Sequence, residues 1–273
     1  MQLGLSSSLQ HSSPEEWAKN MEELGCESVV FPVDYQTDTE LIERYRTEAN
    51  KRDLVIAEVG IWKNALAKDK KEAEEAMEYS IGQLRLADEI QAKCCVNVAG
   101  SAGPRWDGPY KENFSQKMWD RTVRMIQEVI DEVKPVNTYF TIEPMPWMYP
   151  TGPEEYAKLL EDVNRDRFAV HMDAINMINT PDRYFFSEEF LDKCFNILGS
   201  EIKSCHIKDV KLLQEYTFQL QECACGQGEF SLEHYVELIN KTNPDLPVII
   251  EHLETDEEYI SSIEFLKNDL KLV

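Results

Sequence analysis

The sequence has 273 residues, of which 51 are Asp or Glu and 28 are Lys or Arg, so its formal net charge is −23. This acid excess argues against a nucleic-acid or anionic-membrane partner, because such ligands require exposed lysine and arginine. No apolar run reaches the roughly 18 residues of a membrane-spanning helix, and the amino terminus lacks the basic and apolar segments of a signal peptide. We therefore expect an acidic, cytoplasmic protein.

Short apolar, β-branched segments alternate with longer charged segments of helical period. The predicted strands are residues 3–6, 28–32, 54–59, 94–99, 138–143, 168–173, 202–206 and 248–251. The predicted helices are residues 14–24, 38–51, 71–92, 115–134, 153–163, 187–198, 231–241 and 256–270. Ser13 can cap the first helix, and Pro14 suits its first turn. Nearly continuous apolar strands are typical of parallel strands covered on both faces.

Eight strands alternating with eight helices predict an α/β protein, either a (β/α)₈ TIM barrel or a long doubly wound sheet. The length allows about 34 residues per unit, close to the usual size of a barrel. No linker divides the chain, and neither a Gly-x-Gly-x-x-Gly motif nor a Walker lysine loop follows the first strand, which argues against a nucleotide cofactor. We predict a single barrel domain over residues 1–273, with its active site at the carboxyl ends of the strands.

Polar residues end the last four predicted strands and form the main chemical signal. In chain order they are Glu143, Asp173, His206 and Glu251. Residues in register at these strand ends converge on the barrel axis. Three carboxylates and one imidazole favour one divalent ion, Mn²⁺ first, with Mg²⁺ or Co²⁺ as alternatives. The competing interpretation is four isolated polar strand ends that bond to loop backbones.

Four motifs, in this order, resemble the xylose-isomerase-like superfamily of sugar and sugar-phosphate isomerases and epimerases. They are Ile142-Glu143-Pro144, His171-Met172-Asp173-Ala174-Ile175-Asn176, His206-Ile207-Lys208-Asp209-Val210, and Gly226-Gln227-Gly228-Glu229-Phe230 before Val248-Ile249-Ile250-Glu251. The resemblance implies that the four strand-end residues hold the metal and that Glu143 and Glu251 double as acid and base. The chemistry agrees, because removing a proton beside a carbonyl gives an enediolate that a divalent ion stabilises.

Two positions depart from the ketose 3-epimerases of this superfamily. Those enzymes usually have a histidine three residues after the strand-six aspartate and an arginine six residues after the strand-seven histidine. This chain has Asn176 and Leu212 there. Both positions contact substrate hydroxyls in the family, so free-ketose 3-epimerase specificity does not carry over. The sugar, its phosphorylation and whether the chain forms a homo-oligomer stay open.

Other candidates for substrate binding lie at or just after strand ends. Asn176 replaces the family's substrate-contacting histidine. Lys208 follows the strand-seven histidine by two residues and either meets a substrate phosphate or carboxylate or is a solvated loop lysine. Glu58 ends the third predicted strand and either points into the cavity or accepts hydrogen bonds from a loop backbone. Trp62, Trp106 and Trp147 lie in βα loops, where aromatic side chains often wall a sugar pocket and otherwise pack within the loop.

The seven cysteines form no regular framework, and their number is odd. Cys223-Ala224-Cys225 could bind a soft metal, but no second Cys or His pair lies nearby. We expect structural thiols. His171 precedes the strand-six aspartate by two residues on the same strand, and we expect it to be buried in the core or to support a metal ligand.

The leading hypothesis is a metal-dependent isomerase or epimerase of a sugar or sugar derivative. An alternative keeps the same site but eliminates water, as the inosose dehydratases of the superfamily do. An endonuclease-IV-like phosphodiesterase would need about three zinc ions, many histidines and a basic groove, which five histidines and a charge of −23 argue against. The non-enzymatic alternative is a sugar-binding barrel with a vestigial site, although no expected ligand has been lost.

Overall fold

Eight parallel strands close into a barrel in the computed structural model, which describes residues 1–270. The barrel strands are β1 (Gln2–Leu5), β2 (Ser28–Val30), β3 (Val55–Gly60), β4 (Cys94–Asn97), β5 (Tyr139–Ile142), β6 (Phe168–Asp173), β7 (Ile202–Ile207) and β10 (Pro247–Ile250). Each pairs with the next along the chain, and β10 pairs with β1 to complete the circle. The prediction of a TIM barrel is therefore confirmed, whereas residues 271–273 of the predicted domain lie outside the described residues.

Helices surround the barrel in the predicted order. They are α1 (Pro14–Glu23), α2 (Thr39–Lys51), α3 (Lys70–Glu89), α4 (Gln116–Val133), α5 (Pro153–Val163), α6 (Pro181–Phe185), α7 (Ser187–Leu198), α8 (Leu232–Thr242) and α9 (Asp256–Glu264), which a π-helical turn, Phe265–Asp269, continues. The short helix α6 was not predicted. Ser13 caps α1 as expected, because its side chain accepts the backbone N–H of Glu16. None of the described helices is long and apolar enough to span a membrane.

A two-stranded hairpin follows β7, where the sequence analysis gave no regular structure. Its strands β8 (Asp209–Leu212) and β9 (Leu220–Cys223) pair in antiparallel fashion. These strands are short and carry polar residues such as Lys211 and Gln221, so their periodicity gives little signal. The hairpin brings residues of both strands to the carboxyl end of the barrel, beside the predicted site.

Two buried tyrosines fix the strand ends from the helical layer. The register of β6 against β7 shifts between Val170 and His171, and beyond the shift Asp173 pairs directly with His206. The Tyr156 hydroxyl of α5 accepts the backbone N–H of His171 at this irregularity. Tyr235 of α8 places its hydroxyl 3.2 Å from the carbonyl oxygens of Met172 and His206. An irregularity of this kind can redirect a side chain next to an active site.

The Asp209 carboxylate organises the glycine-containing loop after the hairpin. It accepts four backbone N–H groups at 2.8 to 3.1 Å, those of Val210, Gly226, Gly228 and Phe230. A Cβ atom at position 228 would lie 2.3 Å from Asp209 Oδ1 and 2.4 Å from the Val210 carbonyl oxygen. The second glycine of the motif is therefore required by this close approach of carboxylate and backbone.

We predict that Gly228→Ala lowers the free energy of unfolding by about 1–3 kcal/mol, the usual cost of overpacking, in urea denaturation. Gly199→Ala is the matched control, because its Cβ atom would meet Thr242 at an ordinary 3.7 Å. That control should keep or slightly raise stability, since alanine restricts the unfolded chain. Equal stability of the two variants would contradict the requirement for glycine at position 228.

Candidate metal centre

Four buried side chains meet where the barrel strands end. They are the predicted set Glu143, Asp173, His206 and Glu251, and one potential ligand atom from each lies within 4.8 Å of the others. Asp173 and His206 lie at the ends of β6 and β7, while the two glutamates directly follow β5 and β10. The barrel therefore brings together all four residues that the strand ends indicated.

His206 has one ring nitrogen facing the carboxylates. Its Nδ1 atom lies 2.7 Å from Glu251 Oε2 and 3.6 Å from Glu143 Oε2. Despite this proximity, Nδ1 is buried and makes no hydrogen bond of suitable geometry within residues 1–270. A lone pair there would oppose two carboxylate oxygens in a buried site, so a positive charge is needed between them. Either a proton or a metal ion can supply it.

Lys208 is not a solvated loop lysine, nor does it extend to the barrel mouth. Its side chain is buried, and Nζ donates to Glu251 Oε1 at 2.6 Å, Asp173 Oδ2 at 2.8 Å and Asn176 Oδ1 at 3.1 Å. Burial disfavours the charge, but the neighbouring carboxylates raise the pKa of Lys208 well above its ordinary value. These contacts engage its three protons inside the cluster, and contact of Lys208 with a substrate anion stays a prediction.

The charge of the cluster depends on which of its groups hold a proton. With all three carboxylates ionised, Lys208 charged and His206 neutral, it would be two negative charges. Burial disfavours a charged His206 ring, but Glu251, Glu58 and Glu143 outweigh it and raise the pKa of His206 well above its ordinary value. Burial and the neighbouring Glu251 raise the pKa of Glu143 well above its ordinary value. Burial has the same tendency at Glu251, but His206 and Lys208 outweigh it and hold the pKa of Glu251 well below its usual range. A divalent ion could take the place of the protons on His206 and Glu143. The oxygen and nitrogen donors fit Mn²⁺ or Mg²⁺.

Glu58 is buried on β3 and does not line the cavity that opens beside the cluster. Its contact with a substrate stays a prediction. Its Oε2 atom is 3.1 Å from His206 Nε2, and its Oε1 atom is 3.4 Å from His171 Nδ1. The expected burial of His171 is observed, and its Nδ1 atom lies 2.6 Å from Ser204 Oγ. Burial, followed by the nearby His206, lowers the pKa of His171 to about 3, so that the ring is neutral.

A cavity of about 820 Å³ opens beside the cluster. Asn176 lines it and donates to Glu143 Oε1 at 2.7 Å. Glu222 and His252 also line it, each 3.2 Å from Lys208 Nζ. Much of the remaining wall is apolar and consists of Met145, Trp147, Ile175, Ile178, Val210, Phe218 and Leu220. The site thus combines a charged floor with a largely apolar wall.

Trp147, rather than Trp62 or Trp106, lines this cavity. Trp62 and Trp106 share a second cavity of about 580 Å³ beside α3, together with Tyr35 and Tyr79. Contact of these two tryptophans with substrate stays a prediction.

The sequence analysis missed Glu222 and His252 as members of the site. Glu222 belongs to the unpredicted hairpin, and no motif marks it. His252 directly follows Glu251, so its position in the sequence places it near the site. Beyond the end of a strand, however, the pattern of apolar residues does not indicate which way a side chain points. The His252 ring is half exposed and lies 3.2 Å from Glu222 Oε2.

Similarity to known proteins agrees with the barrel fold. The xylose isomerase-like TIM barrel family matches residues 18–269, and the chain therefore belongs to that family. No curated protein matches the sequence significantly.

Several solved structures share the fold. The apo form of the 3-keto-D-glucoside 4-epimerase YcjR from E. coli is 14% identical, with a TM-score of 0.71 and 100% of each chain covered. The probable 3-DHS dehydratase AsbF, involved in petrobactin synthesis in Bacillus anthracis, is 16% identical, with a TM-score of 0.75 and coverage of 98% of this chain and 99% of that one. A xylose isomerase-like TIM barrel protein from Mycobacterium smegmatis in complex with magnesium is 15% identical, with a TM-score of 0.69 and coverage of 96% and 89%. At these identities the similarity shows the fold.

Neither Cys223 nor Cys225 belongs to a potential metal-binding group within the described part of the chain. All seven cysteines are free thiols; Cys223 is partly exposed and the others are buried. Burial raises the pKa of Cys223 to about 11 and that of Cys225 to about 12. Thiolate is the reactive form, so these cysteines should be inert at neutral pH.

We predict that the folded protein reacts slowly with a thiol reagent at pH 8, even at Cys223. A pKa near 11 in place of 9.0 lowers the thiolate fraction by about 100-fold, since each pH unit is a factor of ten. The denatured protein is the control, in which all seven cysteines should react at ordinary rates. Rapid labelling of any cysteine in the folded protein would contradict the expected inertness.

Proposed function

We propose that the protein is a divalent-metal-dependent isomerase or epimerase of a sugar or sugar derivative, with Glu143, Asp173, His206 and Glu251 as the metal ligands. The observation that carries the proposal is the buried His206 Nδ1 atom, which faces two carboxylates without a hydrogen bond in a cluster of three buried carboxylates. Structures of the same fold include an epimerase, a dehydratase and a magnesium complex, which supports this chemistry.

Glu143 and Glu251 are the acid and base of the proposed reaction. Their environments push their pKa values in opposite directions, which is the usual mark of such a pair. Glu251, bonded to Lys208 and close to His206, is held as a carboxylate. Glu143 holds a proton more readily. One carboxylate removes the proton from the carbon beside the substrate carbonyl. If the other carboxylate then gives its own proton to the opposite face of that carbon, the carbon is inverted. If the first carboxylate gives the proton to the adjacent carbon, the sugar is isomerised.

When bound, the divalent ion would stabilise the negative charge that develops on the carbonyl oxygen. The chain itself positions the groups around that oxygen. Asn176 holds Glu143, and Lys208 holds Asp173 and Glu251. Because the Lys208 protons are used in this way, we expect a substrate without a phosphate group at the reacting end.

Dehydration of an inosose-like keto-sugar is the second candidate. It begins with the same proton removal but also requires a group that protonates the departing hydroxyl. His252 favours this alternative, because its half-exposed ring lies on the cavity wall, 3.2 Å from Lys208 Nζ. Products formed from a panel of ketoses, sugar phosphates and inososes distinguish the two reactions.

We predict one divalent ion per chain, measured by metal analysis after loading with Mn²⁺ and removal of free ion. His206→Ala should lose the ion, while His234→Ala should retain it, because His234 contacts only Asp192 and Glu237 among the carboxylates of the described chain. Chelation should lower the melting temperature of the wild type, since an ion at about 100 times its dissociation constant stabilises the fold by about 2.7 kcal/mol. Equal metal content in both variants would refute the assigned site.

We also predict that Glu143→Gln and Glu251→Gln each lower kcat by about 10²–10⁴-fold, the usual contribution of general acid–base catalysis. Glutamine keeps the shape and one ligand oxygen but cannot exchange a proton in this way. Glu48→Gln is the control, because Glu48 is buried in α2 and pairs with Lys51 and Arg52 away from the site. The substrate's α-hydrogen should also exchange in D₂O with the wild type. A glutamine variant that holds metal and turns over at the wild-type rate would exclude these roles.

A further inference from the structure

Glu58 is a buried carboxylate that the proposed acid–base chemistry does not use. It lies on β3, inside the barrel and below the cluster. Its Oε2 atom receives the hydrogen bond of His206 Nε2 at 3.1 Å. Its Oε1 atom makes no hydrogen bond within the described residues, and the neutral His171 ring places Nδ1 3.4 Å from it. A buried carboxylate in such surroundings needs a partner that donates to it.

The contact with Glu58 restricts which nitrogen of His206 can bind an ion. A carboxylate only accepts hydrogen bonds, so Nε2 must carry a hydrogen wherever it meets Glu58. In the neutral ring, Nδ1 then carries the lone pair, and this is the atom 2.7 Å from Glu251 and 3.6 Å from Glu143. The opposite tautomer would place a lone pair against Glu58 and a hydrogen toward the cluster. The geometry therefore selects one tautomer and one ring orientation.

Buried contacts also hold Glu58 itself in place. It pairs with Cys94 in register between β3 and β4. His171 stands edge-on to His206, with ring centroids 4.1 Å apart, and its Nδ1 atom bonds to Ser204 Oγ. Ser204 Oγ in turn lies 3.1 Å from Cys94 Sγ. All of these side chains are buried, so Glu58 and the His206 ring have little freedom to rotate.

We propose that Glu58 is the positioning residue of the metal site: it fixes His206 with hydrogen on Nε2, so that Nδ1 is presented to the ion. Carboxylates that hold metal-binding histidines in this way commonly change metal affinity by about 10- to 100-fold when they are removed. This inference takes one element from the proposed function, namely that His206 is a metal ligand. The contact between Glu58 and His206 can be measured without any turnover.

The test compares Glu58→Gln and Glu58→Leu with the wild type and with Glu48→Gln. Glutamine keeps an acceptor oxygen without charge, whereas leucine removes the acceptor at similar size. We expect Mn²⁺ affinity to fall in a graded manner, by about tenfold for glutamine and about 100-fold for leucine, and to stay unchanged in Glu48→Gln. Competition titration against a metal indicator measures these affinities. Should the leucine variant not fold, the glutamine variant still tests the proposal.

Nitrogen-15 NMR of histidine gives the second readout, in the ion-free and Mg²⁺-loaded protein. The His206 Nε2–H signal should be downfield and slow to exchange in the wild type, and it should move upfield in both Glu58 variants but not in Glu48→Gln. A role limited to general stability would leave this signal unchanged in the folded variants.

Wild-type Mn²⁺ affinity in both Glu58 variants, or an unchanged His206 signal, would overturn the proposal. A second ion per chain that disappears in Glu58→Gln would overturn it as well, because Glu58, His171 and His206 would then be ligands of that ion. Absence of ion binding in the wild type would instead overturn the proposed function, and the His206 signal would decide by itself whether Glu58 orients the ring.

Discussion

Repulsion among three buried carboxylates is the constraint to which the rest of the site responds. Glu143, Asp173 and Glu251 are brought together because β5, β6 and β10 end at the same face of the barrel. Their burial leaves little solvent screening of the repulsion, so the compensating charges must come from the protein, from bound protons or from an ion. Lys208 supplies one such charge from within the chain, and His206 directs a nitrogen toward the position where another is needed.

Hydrogen bonds from the surrounding helices and from one loop hold the strand ends in place against this repulsion. Tyr156 and Tyr235 reach from the helices to backbone groups of the central strands, close to the register shift that precedes Asp173. Asp209 holds the loop after the hairpin, and the hairpin carries Glu222 to the side of Lys208. The closely packed carboxylates are thus held in place by backbone hydrogen bonds to two tyrosine hydroxyls and to the Asp209 carboxylate, groups that do not belong to the proposed ligand set.

The barrel and the four strand-end residues could be predicted because both depend on local sequence. Long apolar strands end in single polar residues, and the symmetry of a barrel brings these ends together. The position of Lys208 could not be read in the same way. It follows a strand, where lysines are usually solvated, and it is buried here because the carboxylates and the hairpin enclose it.

Glu58 shows a second limit of sequence patterns. The pairing of β2 with β3 shifts register next to Glu58, so alternation along the strand does not establish its surroundings. The tryptophans illustrate the same difficulty in loops: Trp62, Trp106 and Trp147 have similar positions relative to strands, yet only Trp147 lines the cavity beside the cluster. Contacts between residues far apart in the chain determine where these side chains lie, and such contacts cannot be predicted from the local pattern of one sequence.

The internal ammonium group of Lys208 also bears on the order of events after synthesis. Lys208 follows β7, and its ion pairs connect this strand to Asp173 on β6 and to Glu251 after β10. These pairs form from the chain alone, so the barrel can close before any ion is captured. Under the proposed function, the newly folded protein would then already have its four ligand residues in place when it meets a divalent ion. Which metal it carries would depend on supply as much as on the ligands, since oxygen-rich sites discriminate weakly among small divalent ions.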